Sequence, residues 1–241
     1  MVTVLKANPA SIRRASALVL KGGLVAFPTD TVYGLGCDPH NELAVGRLIK
    51  AKARSNRAIP LICSTLEVAR GLVVLSPAAL RLAKEHWPGA LTIVAPQRAE
   101  LPPPVSQGTG MVGVRVPASA LCVSLARGVG GAVTGTSANL SGQPSCRTAE
   151  EVVASLDGRV DLVIDGGELR GLESTVVKVV GETVEVLRRG SIGVEGALAA
   201  EPHTDVAEGK RGEGLRGVQG NRLAERSPQG PHRKVGVRRR T

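Results

Sequence analysis

A single α/β domain with a twisted mixed sheet flanked by helices is the fold class this sequence predicts, on three observations. Helix-like and strand-like segments alternate along most of the chain. The 42% apolar content is almost wholly aliphatic, because there is one Phe, one Tyr and one Trp, so the core is built from Val, Leu, Ile and Ala. The segment STVVKVVGETVEVLR, residues 174–188, reads as two strands around a Gly181-Glu182 turn and adds antiparallel pairing to the sheet.

Taken in order, Ile12, Ala15, Leu18 and Val19 keep helical spacing, and KGG at 21–23 supplies the stop. LVAF (24–27) is a short buried strand, and the polar stretch PTDTVYGLG (28–36) after it reads as a loop. A helix from Glu42 to about Lys50 leads to the apolar IPLIC (59–63), and Ala79, Leu82, Ala83 and His86 mark another helical face. LTIVA (91–95) is a strand. LPPPVSQGTG (101–110) reads as a loop, since its consecutive prolines cannot donate to a ladder. VGVRV (112–116) and GAVT (131–134) are strands around a helix over about 118–127. Residues 148–156 are helical and DLVID (161–165) is a strand.

Charge divides the chain. Residues 201–241 hold ten Lys and Arg against five acids, half of the net charge of +10, in a stretch rich in Gly, Arg, Pro and Gln. Such a composition buries too little surface to offset ordering entropy, so residues 1–200 are expected to form the domain and 201–241 a basic disordered tail. The four cysteines, Cys37, Cys63, Cys122 and Cys146, form no C-x-x-C pair, which predicts neither a zinc ribbon nor a disulfide framework. The opening MVTVLKANPA lacks a signal-peptide pattern, and no apolar run reaches the roughly 18 residues of a membrane span. A cytoplasmic protein with no membrane partner is expected. The scarcity of aromatics disfavours nucleic-acid binding by stacking.

Four segments concentrate hydroxyls, glycines and basic residues beside strands: PTDTVYGLG, KAKAR (50–54), TGTSANLSGQPS (134–145) and GLESTV (171–176). Strand ends of α/β sheets are where ligands sit, because backbone donors are free on a rigid frame. Lys52, Arg54, Arg115 and Arg188 suit phosphates and a carboxylate. No G-x-S-x-G elbow, C-x-x-C or G-x-x-x-x-G-K-[ST] is present, which leaves positioning and electrostatics as the means of catalysis. Asp30 and Asp38 suit turn capping or the site equally. Trp87, His40, His86 and Cys37 are expected to be structural.

PTDTVYGLGCD, KAR followed by PLI, WPGALTIV, VGVRVP, TSANLSGQPS, VIDGG, ESTVV and LRRGSI occur in this order across residues 28–192. Together they resemble the YrdC-like family, the threonylcarbamoyl-AMP synthases, in a single-domain form. The resemblance implies an enzyme joining L-threonine, bicarbonate and ATP into threonylcarbamoyl adenylate with release of pyrophosphate, Mg²⁺ entering through the ATP phosphates and no metal held by the protein alone. The product serves a downstream threonylcarbamoyl transferase complex that modifies tRNA. By the same resemblance Thr31, Arg115 and Ser174 contact threonine, and Lys52 and Arg54 face the ATP phosphates as the catalytic pair. Arg54, Ser137, Asn139, Ser145 and Arg188 bind nucleotide. The chain departs from the family pattern at Met111, where longer relatives have threonine, and at Cys63, where no histidine follows PLI. Two other classes fit parts of the sequence. One is a non-catalytic module contacting RNA by a basic groove or the tail. The other is a carbamoyl transferase of the hydrogenase-maturation type, which would add cysteine-rich and acylphosphatase-like segments not found in this sequence.

Overall fold

The computed structural model describes residues 2–53 and 58–194. In chain order its elements are β1 (Thr3–Lys6), α1 (Pro9–Leu20), β2 (Val25–Pro28), β3 (Tyr33–Gly36), α2 (Glu42–Ala51), β4 (Leu61–Cys63), α3 (Leu66–Leu72), α4 (Pro77–His86), β5 (Leu91–Pro96), α5 (Pro103–Ser106), β6 (Met111–Arg115), α6 (Ala120–Gly128), β7 (Ala132–Thr134), β8 (Thr136–Ser137), α7 (Ala149–Leu156), β9 (Leu162–Asp165), β10 (Thr175–Val180) and β11 (Thr183–Arg188). The helices begin where the sequence offers a side-chain oxygen to otherwise unpaired backbone donors. Asn8 accepts from Ala10 and Ser11 while Ser11 Oγ accepts from the Asn8 N–H, and Asn41, Ser119 and Thr148 cap α2, α6 and α7.

The mixed α/β class is the one expected, with the strands shared between two sheets: β1-β9-β2-β3-β8 and β11-β10-β5-β6-β4-β7. In the first, β9 runs parallel to both β1 and β2, and β2 and β3 pair antiparallel. In the second, β5 is parallel to β10 and antiparallel to β6. Alternate residues of β2 and β9 enter different cores, as a two-residue side-chain period requires. Val25, Phe27, Leu162 and Ile164 pack with α1 and α6, whereas Ala26 and Val163 join the larger core with α2, α4 and α7. A strand covered on both faces has no polar face to present, which is why LVAF is continuous and apolar.

Two loops of the sequence reading need correction. The segment 28–36 contains β3, and 101–110 contains α5, whose prolines stand at the first helical positions where a missing N–H costs nothing. Strand β1, with exposed Val4 at the sheet edge, and the short helix α3 had no counterpart in the reading. Among the described residues no helix is long and apolar enough to cross a membrane. The expected tail at 201–241 and the end of the domain lie outside the described residues, as does Arg54.

Candidate functional site

The connection between β2 and β3 is a tight turn built by threonine. Thr29 Oγ1 donates to the Val32 carbonyl at 2.7 Å and accepts from the Thr31 N–H at 3.0 Å, while the Thr29 and Thr31 hydroxyls lie 2.9 Å apart. Thr31 is thereby aimed at Arg115, the last residue of β6 in the other sheet. Arg115 is 7% exposed. Its Nε donates to the Gly89 carbonyl at 2.8 Å, Nη1 to Thr31 Oγ1 at 3.3 Å and Nη2 to Asp30 Oδ1 at 2.6 Å, and Asp30 Oδ2 accepts from the Ala118 N–H at 3.0 Å. A guanidinium is tolerated at this depth because a carboxylate and two neutral oxygens compensate it. Asp30 is thus part of the site. Asp38 instead caps a turn, accepting from the His40 N–H at 2.9 Å.

A second group gathers where β10 starts. The Ser174 and Thr92 hydroxyls are 3.0 Å apart. Arg188, at the end of β11, donates to the Ser174 carbonyl from Nε at 3.2 Å and from Nη2 at 2.8 Å, and to Ser174 Oγ at 3.1 Å. Its Nη1 forms an ion pair with Glu173, whose other carboxylate oxygen accepts from Ser145 Oγ. Glu173 therefore ties Ser145 to Arg188, a role the sequence reading did not assign although the residue lies within GLESTV. Gly190 lies against this corner so closely that a Cβ there would come 2.3 Å from the Glu173 carbonyl.

Lys52 caps the C-terminal end of α2 and is 1% exposed. Its ammonium donates to the Ser137 carbonyl, to the Asn139 carbonyl at 2.7 Å and to Asn139 Oδ1 at 3.3 Å. The Lys52 carbonyl in turn accepts from the Ser141 N–H at 2.9 Å. Lysine and loop are thus fastened from both directions, with the positive charge behind the SAN backbone. Sequence reading placed the lysine facing phosphates; here its bonds go to the loop that carries Ser137 and Asn139.

The groups are joined around β3. Tyr33, with no exposed surface, receives the Ala138 N–H on its carbonyl at 2.8 Å and donates its own N–H to the Cys146 carbonyl at 3.0 Å. Its hydroxyl donates to the Gly167 carbonyl at 2.9 Å and accepts from the Gly166 N–H at 3.0 Å. One buried residue thus touches both loops, its backbone the serine loop and its phenol the glycine loop, and the glycine loop gives the hydroxyl the partners that a phenol in an aliphatic core needs.

Gly171 passes directly over Thr31. A Cβ on it would stand 2.7 Å from the Thr31 carbonyl oxygen and 2.9 Å from its Cα, with only backbone available to yield. Gly171→Ala is expected to displace Thr31 and weaken binding of an anionic ligand beside Arg115 by about tenfold or more while leaving the melting temperature nearly unchanged, since the loop can move away from the core. Calorimetric titration of the variant checks this, and unaltered affinity would show that the close approach has no bearing on the ligand.

No thiol competes for a nucleophilic role. Burial pushes Cys37 up to about 11, and Cys63 and Cys122 up to about 12, so near neutrality they stay protonated. Among the described residues no three His, Cys, Asp or Glu side chains gather as metal ligands. The inventory of hydroxyls, arginines and one lysine at the ends of two sheets suits an anionic ligand and charge stabilisation.

Comparison with known proteins gives this α/β chain its family. The Sua5, YciO and YrdC family model, described as Telomere recombination, matches residues 17–190. A threonylcarbamoyl-AMP synthase of Bacillus subtilis (strain 168) is 39% identical over 193 residues, covering 78% of this chain and 56% of that protein. One from Halorhodospira halophila is 37% identical over 184 residues, covering 76% of this chain and 96% of that protein. The crystal structure of Pyrococcus abyssi Sua5 complexed with L-threonine superposes with a TM-score of 0.75 at 35% identity, covering 81% of this chain and 58% of the other. The chain belongs to the Sua5/YciO/YrdC family. It spans just over half the length of the Bacillus and Pyrococcus relatives.

Proposed function

We propose that the protein is a threonylcarbamoyl-AMP synthase, forming threonylcarbamoyl adenylate and pyrophosphate from L-threonine, bicarbonate and ATP. The observation that carries this reading is the buried Arg115 held between Thr31 and Asp30, in a chain similar to relatives of that name and, in fold, to a Sua5 crystallised with L-threonine. Three of the five guanidinium N–H groups go to Gly89, Thr31 and Asp30, which leaves donors for a substrate carboxylate. Ser174 is the second threonine contact.

In the reaction the amine of threonine takes up the carbon of bicarbonate with loss of water. An oxygen of the resulting carbamate then bonds to the α-phosphorus of ATP, and the bond from that phosphorus to the bridging oxygen breaks, its electron pair leaving with pyrophosphate. ATP enters as its Mg²⁺ complex, the metal held by phosphates and water. Lys52 acts by fixing Ser137 and Asn139 and by placing its charge behind their backbone. Arg54 supplies the second positive charge of the catalytic pair, and Ser145 and Arg188 complete the nucleotide side once a phosphate competes with Glu173. No covalent enzyme intermediate is involved, in keeping with the protonated thiols. The product passes to a threonylcarbamoyl transferase complex acting on tRNA in the cytoplasm, and the basic residues of 201–241 would contact that RNA.

The test is pyrophosphate release from MgATP by the full chain, with and without L-threonine and bicarbonate. Release that requires both, with the adenylate mass among the products, establishes the synthase. A folded protein that releases none, yet binds tRNA, would be the RNA-binding module instead.

A further inference from the structure

Arg115 does not wait for a ligand with its charge uncompensated, and its partner carries the next consequence. Asp30 is 15% exposed at its side chain, so the carboxylate borders the site and is not sealed behind it. Of about four lone-pair directions on a carboxylate, the described residues use one on Oδ1, for Arg115, and one on Oδ2, for Ala118. The local charge of Arg115 and Asp30 together is zero. A ligand bringing only a carboxylate would put two anions beside one guanidinium in a poorly hydrated place, and like charges held close are costly there. A ligand that brings an ammonium with its carboxylate cancels that cost, because Asp30 can accept from the ammonium while Arg115 donates to the carboxylate.

We propose that Asp30 is a specificity-determining residue that makes this site accept a zwitterionic amino acid in preference to the corresponding hydroxy acid, and that it also orients Arg115. The inference rests on the reading of the Arg115 and Thr31 corner as the threonine site. It commits Asp30 to the α-amino group, as distinct from the carboxylate and hydroxyl that Arg115, Thr31 and Ser174 are expected to meet. It also explains why an aspartate follows directly on a threonine whose hydroxyl builds the turn: Thr29 fixes the backbone, and the next two side chains both reach the same arginine.

The experiment is calorimetric titration of the full-length protein with L-threonine and with 3-hydroxybutyrate, which keeps the carboxylate and the hydroxyl but lacks the amine. The wild-type protein is expected to prefer threonine by about tenfold or more, the size of a charge-assisted hydrogen bond. Asp30→Asn keeps the shape and an acceptor for Ala118, and is expected to bring the two affinities within about threefold. Asp30→Glu keeps the charge and is expected to retain a preference for threonine, which provides a second reading where the amide variant folds poorly. Undiminished preference for threonine in Asp30→Asn, or equal binding of the two ligands by the wild-type protein, overturns the inference alone. Failure of the wild-type protein to bind threonine at all overturns the threonine-site reading and the inference with it.

Discussion

Replacing Arg115 by alanine is expected to lower the apparent affinity for threonine by about a hundredfold or more, with nucleotide binding changed little. The guanidinium would be the substrate carboxylate's charged partner, and losing a buried charge-assisted pair costs about 3–5 kcal/mol, of which a large part is the anion left without compensation. Asp30 would share that fate in the free protein, because its 2.6 Å partner disappears while it stays largely buried. Stability is therefore expected to fall together with substrate binding. The double variant Arg115→Met with Asp30→Asn separates the two effects, since it removes both charges and should recover stability without recovering threonine binding. Denaturant melts alongside threonine titration measure the pair. Normal threonine affinity in a folded Arg115→Ala protein would remove this arginine from the site.

Lys52→Met should be the most damaging change on the nucleotide side. Methionine fills the aliphatic volume but returns nothing to the Ser137 and Asn139 carbonyls, which lose a buried ammonium. Two acceptors orphaned at about 1–3 kcal/mol each give an expected loss of about 2–6 kcal/mol, visible as a lower midpoint in urea at unchanged slope. With the SAN loop released, turnover should drop by about a hundredfold or more through impaired ATP binding and alignment. The discriminating observation is adenine-nucleotide affinity. A phosphate ligand acting by charge alone would be restored in part by Lys52→Arg, whereas a loop fastener of this length and burial would not be, because the planar fork does not match the loop oxygens of Ser137 and Asn139 that Nζ meets.

Much of the architecture was legible because apolar spacing decides it. LVAF, LTIVA and DLVID are strands buried on both faces, and the turn at Gly181-Glu182 is marked by its glycine. What escaped has a physical reason in each case. Tyr33–Gly36 contains two glycines and follows a polar turn, so its strand character comes from pairing with β2 and β8 and not from local propensity. Pro103–Ser106 is helical because prolines are harmless in a first turn. At the site, motif order singled out Thr31, Arg115, Ser174 and Arg188, which the fold brings into two adjoining corners. Composition had no means of saying that Asp30 and Glu173 occupy the arginines, since an ion pair between residues 85 positions apart exists only in three dimensions.

The bonds that define the site join residues far apart in the chain: Thr31 reaches Arg115 across 84 residues, and Lys52 reaches Asn139 across 87. Closing spans of that length costs chain entropy that local contacts cannot offset, so such pairings belong to the slow, late part of folding. A nascent or partly folded chain therefore has no half-competent version of this site. Competence arrives with completion of the domain, so that activity reports on folding as a whole.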